Sequence, residues 1–364
     1  MRILFIHPSV ELYGADKILL YILKMLYKKH EVVVLLPKIG ILNEEIRKVS
    51  SNIEIKIYPN LPIVHSKLSF FDYLKLPFRI IKCIRLFDKK FDYCFCNTLA
   101  TILCLFSRFS KKRVLYIHEI IANKFLNFGF SILCKFGANK VVCVSEHVKD
   151  NLLFSKNYSV IHNGIPDIAE DFMENKINAD GKIRFALPGR FMPQKGQWFL
   201  IEALKKLDDE YKKKILIDLY GSAPPFKSEL LNTLNQEISR NNLDSIISLH
   251  NFTQNIEDIY LNANVILVPS LMADPFPTTV LESLMFSRPV IATNHGGASE
   301  ILEDSFSRMI IPDDIEGFCI AIKYFIDNQQ LIEKFSVAAR KKYCSCLNLE
   351  TYEKKFFDLF LELK

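Results

Sequence analysis

LMADPFPTTVLESLMF, residues 271–286, follows a short apolar run, Val265–Pro269, that has the length and composition of a buried strand. Asp274 opens a Pro-Phe-Pro turn, and from Thr278 the apolar residues Val280, Leu281, Leu284 and Met285 recur at helical spacing. Strand, tight loop and helix therefore follow one another. Thr278 or Thr279 fits an N-cap, with Glu282 near the end of the first turn in a capping-box arrangement. Pro275 and Pro277 stiffen the loop and present Asp274, while free amides at the helix start would make an anion site beyond the strand's carboxyl end. Spacing alone leaves two readings open. Either Asp274 is a loop residue and Glu282 a capping carboxylate, or the pair grips hydroxyls on either side of a phosphate.

The chain around this stretch alternates strands and helices. Ile3–His7, Glu31–Leu36, Ile53–Tyr58, Tyr93–Cys96, Val114–His118, Val141–Val144 and Val160–His162 read as strands, with helices at Ala15–Lys28, Phe70–Phe87 and Ile102–Phe109. After a polar segment, Asp167–Lys182, the alternation restarts. Strands are expected at Ile183–Leu187, Ile215–Tyr220, Ile246–His250, Val265–Pro269, Val290–Ala292 and Met309–Ile311. Helices fall near Trp198–Lys206, Ser228–Asn241, Ile256–Ala263, Thr279–Phe286 and Glu316–Ile326. Runs of Val, Ile, Leu and Cys between helices indicate parallel sheets covered on both faces. The expected fold is α/β with two Rossmann-like, doubly wound domains, residues 1–166 and 167–346, facing a cleft. A terminal helix, 347–364, packs back towards the first domain.

The totals agree with such an architecture. The 364 residues suffice for two ordinary domains, and a net charge of +6 is too mild to argue for nucleic acid. No apolar run is long enough to span a membrane, and MRILFIHPS reads as a first strand rather than a signal peptide. Nine cysteines without a CxxC pair suit reduced core residues in a cytoplasmic chain. Cys94 and Cys96 share a strand face, but histidines at zinc spacing are missing.

In open α/β sheets, ligands bind beyond the strands' carboxyl ends, so the residues just after each strand are the candidates. Tyr13-Gly14-Ala15-Asp16 opens the first helix; Gly14 permits close backbone approach, although a plain turn has the same composition. His118-Glu119 follows the strand Val114–Ile117, where a histidine is either a polar end cap or a partner for a sugar hydroxyl. Asn163-Gly164 follows the last strand of the first half. Gly189-Arg190 and Lys195-Gly196 bring a guanidinium and an ammonium five residues apart, suited to a diphosphate but not spaced as a P-loop. Tyr220-Gly221-Ser222 and Phe252-Thr253 could flank a planar base, and Asn294–Glu300 carries a glycine pair, with Ser299-Glu300 opening a further helix.

Assembled, these residues resemble a retaining GT-B glycosyltransferase of family 4 along the whole chain, most strongly from about 185 to 305. Asp274 and Glu282 match the family's acidic pair, Arg190 and Lys195 its diphosphate cations, Tyr13–Asp16 its glycine-containing turn, and His118 its mid-domain histidine. The first acidic position is usually Glu; here it is Asp. The resemblance implies a nucleotide-sugar donor, UDP-linked by preference, contacted by Gly14, Asn163, Gly189, Arg190, Lys195, Phe252, Asp274, Phe276, Pro277, Thr278, Thr279 and Glu282. It implies a saccharide or lipid-linked acceptor contacted by Tyr13, Gly14, Ala15, Asp16 and His118. His118, Arg190, Lys195 and Asp274 would serve the chemistry, a front-face transfer with no covalent nucleophile and no metal. The rival readings are a nucleotide-sugar epimerase of the same fold and a non-catalytic binding relative. Lys67–Phe91, with seven Lys or Arg among Phe, Leu and Ile, reads either as a covering surface helix pair or as a contact with anionic membrane.

Overall fold

A strand such as Val32–Leu36, apolar at every position, has no face that suits water, so both sides of its sheet must be covered. The computed structural model, which describes residues 1–64, 70–153, 157–169, 174–224, 227–253 and 255–363, meets this demand twice. In the first sheet, β1 (Arg2–Ile6), β2 (Glu31–Leu36), β3 (Glu54–Ile57), β4 (Phe91–Asn97), β5 (Ser110–Ile117), β6 (Lys140–Cys143) and β7 (Tyr158–Val160) run in the order β3-β2-β1-β4-β5-β6-β7. The second contains β8 (Ile183–Pro188), β9 (Ile215–Gly221), β10 (Ile247–Asn251), β11 (Val265–Val268), β12 (Val290–Thr293) and β13 (Ser307–Ile310), ordered β10-β9-β8-β11-β12-β13. All these pairings are parallel. The strand order reverses between β1 and β4 in one sheet and between β8 and β11 in the other. These are the switch points where α/β sheets hold ligands.

Two compact units result: Met1–Ile165 together with Leu349–Lys364, and Pro166–Asn348. In the first, the helix Leu349–Glu362 lays Phe356 on Phe95 and Phe360 edge-on to Tyr93, with ring centroids 5.5 and 4.9 Å apart. Its Tyr352 hydroxyl lies 3.0 Å from that of Tyr116 on β5. In the second, the buried Arg340 guanidinium donates to both carboxylate oxygens of Asp167, at 2.9 and 2.6 Å, and to the Met285 carbonyl. The chain's entry into this unit is thereby fastened to the end of the helix that carries Glu282.

Several local expectations are corrected. The segment expected as a helix at Ile102–Phe109 is a 3-10 helix, Leu99–Ser107, entered through Thr98 at φ 82° and left through Arg108 at φ 53°. The last strand is Ser307–Ile310, not Met309–Ile311. Ser299-Glu300 does not open a helix; both residues lie in the 3-10 turn Gly296–Glu300. No expectation covered the helices Ile41–Val49, Lys124–Gly137 and Ile332–Cys346. Lys124–Gly137 is polarised the wrong way for a pattern search: Asn127, Ser131 and Cys134 are buried, while Phe125, Leu126, Phe128 and Phe136 are exposed. Residues 67–69 of the basic segment and 170–173 of the polar segment lie outside the described residues.

Candidate functional site

β8 and β11 are neighbours at the second switch point, and the loops leaving them meet. The Leu271 amide donates to the Gln194 carbonyl at 2.9 Å. Gly196 has φ 88°, and a Cβ there would lie 2.2 Å from the Pro269 carbonyl oxygen, so only glycine lets the two loops approach this closely. The contact brings Lys195 to Asp274: Nζ to Oδ2 is 2.9 Å, with both side chains partly open to solvent. The second Asp274 oxygen accepts from the Phe276 amide at 3.3 Å, an Asx-type turn that fixes the carboxylate's direction. From above, Gly296 (φ 62°) fits against the Asp274 backbone, and the Gly297 amide donates to the Asp274 carbonyl at 2.8 Å.

The helix after this loop spans Thr278–Met285 and buries Val280, Leu281, Leu284 and Met285. Its N-cap is Pro277, without a side-chain cap, which corrects the expected capping box through Thr278 or Thr279. Glu282 instead accepts from the buried Tyr260 hydroxyl at 2.7 Å. Tyr260 stacks on Phe286 with ring centroids 5.3 Å apart, and its carbonyl takes the Arg288 Nε–H at 2.7 Å. Burial pushes the Arg288 guanidinium down to about 10 and raises the Tyr260 phenol, so Tyr260 is the donor to a Glu282 carboxylate. Tyr260 belongs to the site and was not anticipated. Its only sequence signal was a tyrosine at the end of a helix facing the 278–285 segment.

Gly189 and Arg190 follow β8 directly; the Arg190 carbonyl accepts from Gln197 Nε2 at 3.0 Å, which ties the loop to the next helix. Phe276 and Pro277 are buried, and Thr278 and Thr279 half-buried, at the helix start beside Asp274. The Thr278 and Thr279 amides donate to no group among the described residues. Asp274, Lys195, Glu282 and the helix start are thus gathered in one place. Phe252 is exposed just beyond β10. Gly14 and Asn163 belong to the first unit. Asn163 is buried there and accepts from the Tyr116 hydroxyl at 3.2 Å.

In the first unit, Tyr13 caps the helix Gly14–Leu26, which continues through Ala15, and a Cβ on Gly14 would meet nothing within 4 Å. No packing demand keeps residue 14 a glycine. Asp16 is buried and accepts from the Tyr13 amide at 2.8 Å and from Ser9 at 3.4 Å. His118, just past β5, has its backbone held by Glu119, whose carboxylate accepts from the His118 and Leu99 amides. Burial, then the nearby His7, pushes the His118 imidazole down to about 3, so it is neutral at physiological pH. Among the described residues no three His, Cys, Asp or Glu side chains gather as a metal site. Cys94 and Cys96 are buried, and burial raises the Cys96 thiol far from the thiolate a metal would need.

Two doubly wound parallel sheets, one in each unit, are the architecture of the GT-B class of α/β proteins. Residues 168–342 match the family described as glycosyl transferases group 1, and residues 13–167 match glycosyltransferase family 4. The chain belongs to this glycosyltransferase family. Among curated relatives, it is 28% identical over 203 residues to an uncharacterized glycosyltransferase of Methanocaldococcus jannaschii, covering 53% of this chain and 51% of that protein. It is 24% identical over 249 residues to the gpi3 subunit of the phosphatidylinositol N-acetylglucosaminyltransferase of Schizosaccharomyces pombe, covering 66% and 52%. The chain thus spans about half the length of these relatives. In fold it is similar to Anabaena HepE in complex with UDP-glucose, with a TM-score of 0.81, 18% identity, and full coverage of both chains.

Proposed function

We propose that the chain is a retaining hexosyltransferase that moves a sugar from a UDP-sugar to a saccharide or lipid-linked oligosaccharide acceptor in the assembly of a bacterial surface polysaccharide. The observation that carries this reading is the Lys195–Asp274 pair at the β8/β11 switch point, with Glu282 held by Tyr260 one helical turn further on. The donor is assigned to this second unit. Glu282 accepts from the ribose hydroxyls, with Tyr260 holding its carboxylate. Asp274 accepts from hydroxyls of the transferred sugar, while Arg190, Lys195 and the amides of Thr278 and Thr279 take the diphosphate. Lys195 then exchanges part of its contact with Asp274 for a phosphate oxygen, placing positive charge where the leaving group becomes more negative. The acceptor hydroxyl, held by the Tyr13–Asp16 turn and His118, attacks from the face the diphosphate leaves, and the departing phosphate takes its proton. HepE, similar in fold over its whole length, has been crystallised with UDP-glucose, and the gpi3 relative names a lipid substrate; both support this choice of donor and acceptor class.

The acceptor end of the reading includes a peripheral contact with the inner, anionic face of the cytoplasmic membrane. Phe71, Leu74, Phe78 and Ile81 are exposed along one stripe of the helix Phe70–Ile84, among Lys75, Lys82 and Arg85. The inverted helix Lys124–Gly137 adds Phe125, Leu126, Phe128 and Phe136, and both helices pack on the 3-10 segment Leu99–Ser107. No helix among the described residues is long and apolar enough to cross a membrane. The test is transfer from a panel of UDP-hexoses to lipid-linked acceptors in excess EDTA, with the product's anomeric configuration read by NMR. Transfer with the donor's configuration kept and undiminished by EDTA is expected. Loss of activity in EDTA, or inversion, would contradict the mechanism; sugar interconversion without acceptor would favour an epimerase.

A further inference from the structure

At the switch point of the first sheet, the carboxyl ends of β1, β4 and β5 lie side by side, with Ile6 in register with Cys96 and Asn97 with Tyr116. They carry a continuous polar chain. Asp16 Oδ1 is 2.5 Å from His7 Nε2, His7 Nδ1 is 2.8 Å from Asn97 Nδ2, and Asn97 Oδ1 is 3.0 Å from His118 Nε2. His7, Asn97 and Asp16 are buried. Three polar side chains taken out of water at adjacent strand ends are costly unless every group is matched, and here each is.

The direction of every bond follows from the Asp16 carboxylate and the orientation of the Asn97 amide. A carboxylate only accepts, so His7 Nε2 carries a proton. The Asn97 NH2, which can only donate, faces His7 Nδ1, so Nδ1 is the acceptor of that bond. The Asn97 carbonyl is thereby turned to His118, whose Nε2 must donate. His118 is left with Nδ1 as its acceptor nitrogen. Asp16 cannot turn away from this task, because its other oxygen is held by the Tyr13 amide.

We propose that Asp16, acting through His7 and Asn97, is a positioning residue that locks His118 in the Nε2–H tautomer, so that His118 Nδ1 accepts a hydrogen bond from the attacking hydroxyl of the acceptor. The role assigned to that hydroxyl rests on the function proposed above; the lock itself does not. The same residues give the Tyr13–Asp16 turn and His118 a shared state, since the turn's own amide anchors the carboxylate.

The test is the tautomer of His118 in the full chain labelled with 15N-histidine, its resonances assigned by their loss in His118→Gln. The wild type is expected to show a protonated Nε2 and an unprotonated Nδ1. Asp16→Asn keeps its carbonyl on the Tyr13 amide and turns its NH2 towards His7 Nε2. His7 must then protonate Nδ1, Asn97 rotates, and His118 is expected to switch to Nδ1–H, three hydrogen bonds from the mutation. Turnover should fall on the order of tenfold to a hundredfold while the donor KM holds. A wild-type His118 protonated at Nδ1, or an unchanged tautomer in folded Asp16→Asn, would overturn the proposal. If Asp16→Asn does not fold, Asn97→Asp and Asn97→Leu decide. Aspartate still accepts from His118 and should keep pure Nε2–H, whereas leucine should give a mixture; equal populations in the two would overturn the lock. Absence of transfer by the wild type, with the tautomer switch intact, would count against the functional reading alone.

Discussion

The charge state of His118 is set by its surroundings more firmly than that of any other side chain assigned to the acceptor. Its folded imidazole is pushed down to about 3, by burial first and then by His7, from an unfolded value of 6.5. Between these values the unfolded chain binds one proton more than the folded chain, so this group's contribution to stability is whole above about pH 6.5 and is lost as the pH falls towards 3. Denaturant midpoints measured from pH 7 down to pH 4 should therefore fall more steeply for the wild type than for His118→Gln. Equal slopes would mean that His118 is solvated and ordinary. Tyr260 makes the complementary point in the second unit. Its hydroxyl faces Glu282 from a buried position and holds the carboxylate in place, as the proposed ribose contact requires.

At the scale of elements, the strands were legible because a parallel sheet buried on both faces writes itself as uninterrupted apolar runs. The stretch 271–286 was legible because prolines and helical spacing mark loop and helix. Its capping was not, because Pro277 took the position that composition offered to Thr278 or Thr279. The Lys195–Asp274 contact could not be read either: it depends on Gly196 fitting against Pro269, a tertiary approach between segments some seventy residues apart. Nor could the His7–Asn97–His118 chain be found by inspecting one strand end at a time. Lys124–Gly137 escaped because its aromatic face points outward. That face, with the helix Phe70–Ile84, makes a specific prediction. The protein should float with anionic liposomes and stay down with neutral ones, and Phe78→Ser with Phe125→Ser should cut the bound fraction several-fold through lost apolar contact. Flotation indifferent to lipid charge and to both substitutions would contradict a membrane role for these helices.

At the scale of the whole molecule, each unit is a complete doubly wound sheet with its own switch point and its own polar cluster. The second cluster pairs Lys195 with Asp274, suited to a sugar diphosphate; the first runs from the Asp16 carboxylate through His7 and Asn97 to His118, suited to a hydroxyl. The proposed division of labour between donor and acceptor rests on these chemistries. The central claim is that the donor is held by Lys195, Asp274 and Glu282, and thermal unfolding with UDP-glucose and related UDP-sugars tests it most directly. At about a hundred times its Kd, a bound donor should add about 2.7 kcal/mol of stability. The shift should be present in the wild type and in Asp16→Asn, whose change lies in the first unit. It should be lost or strongly reduced in Lys195→Ala and Glu282→Gln. No shift with any UDP-sugar, or an equal shift in the last two variants, would contradict the donor site assigned to the β8/β11 switch point.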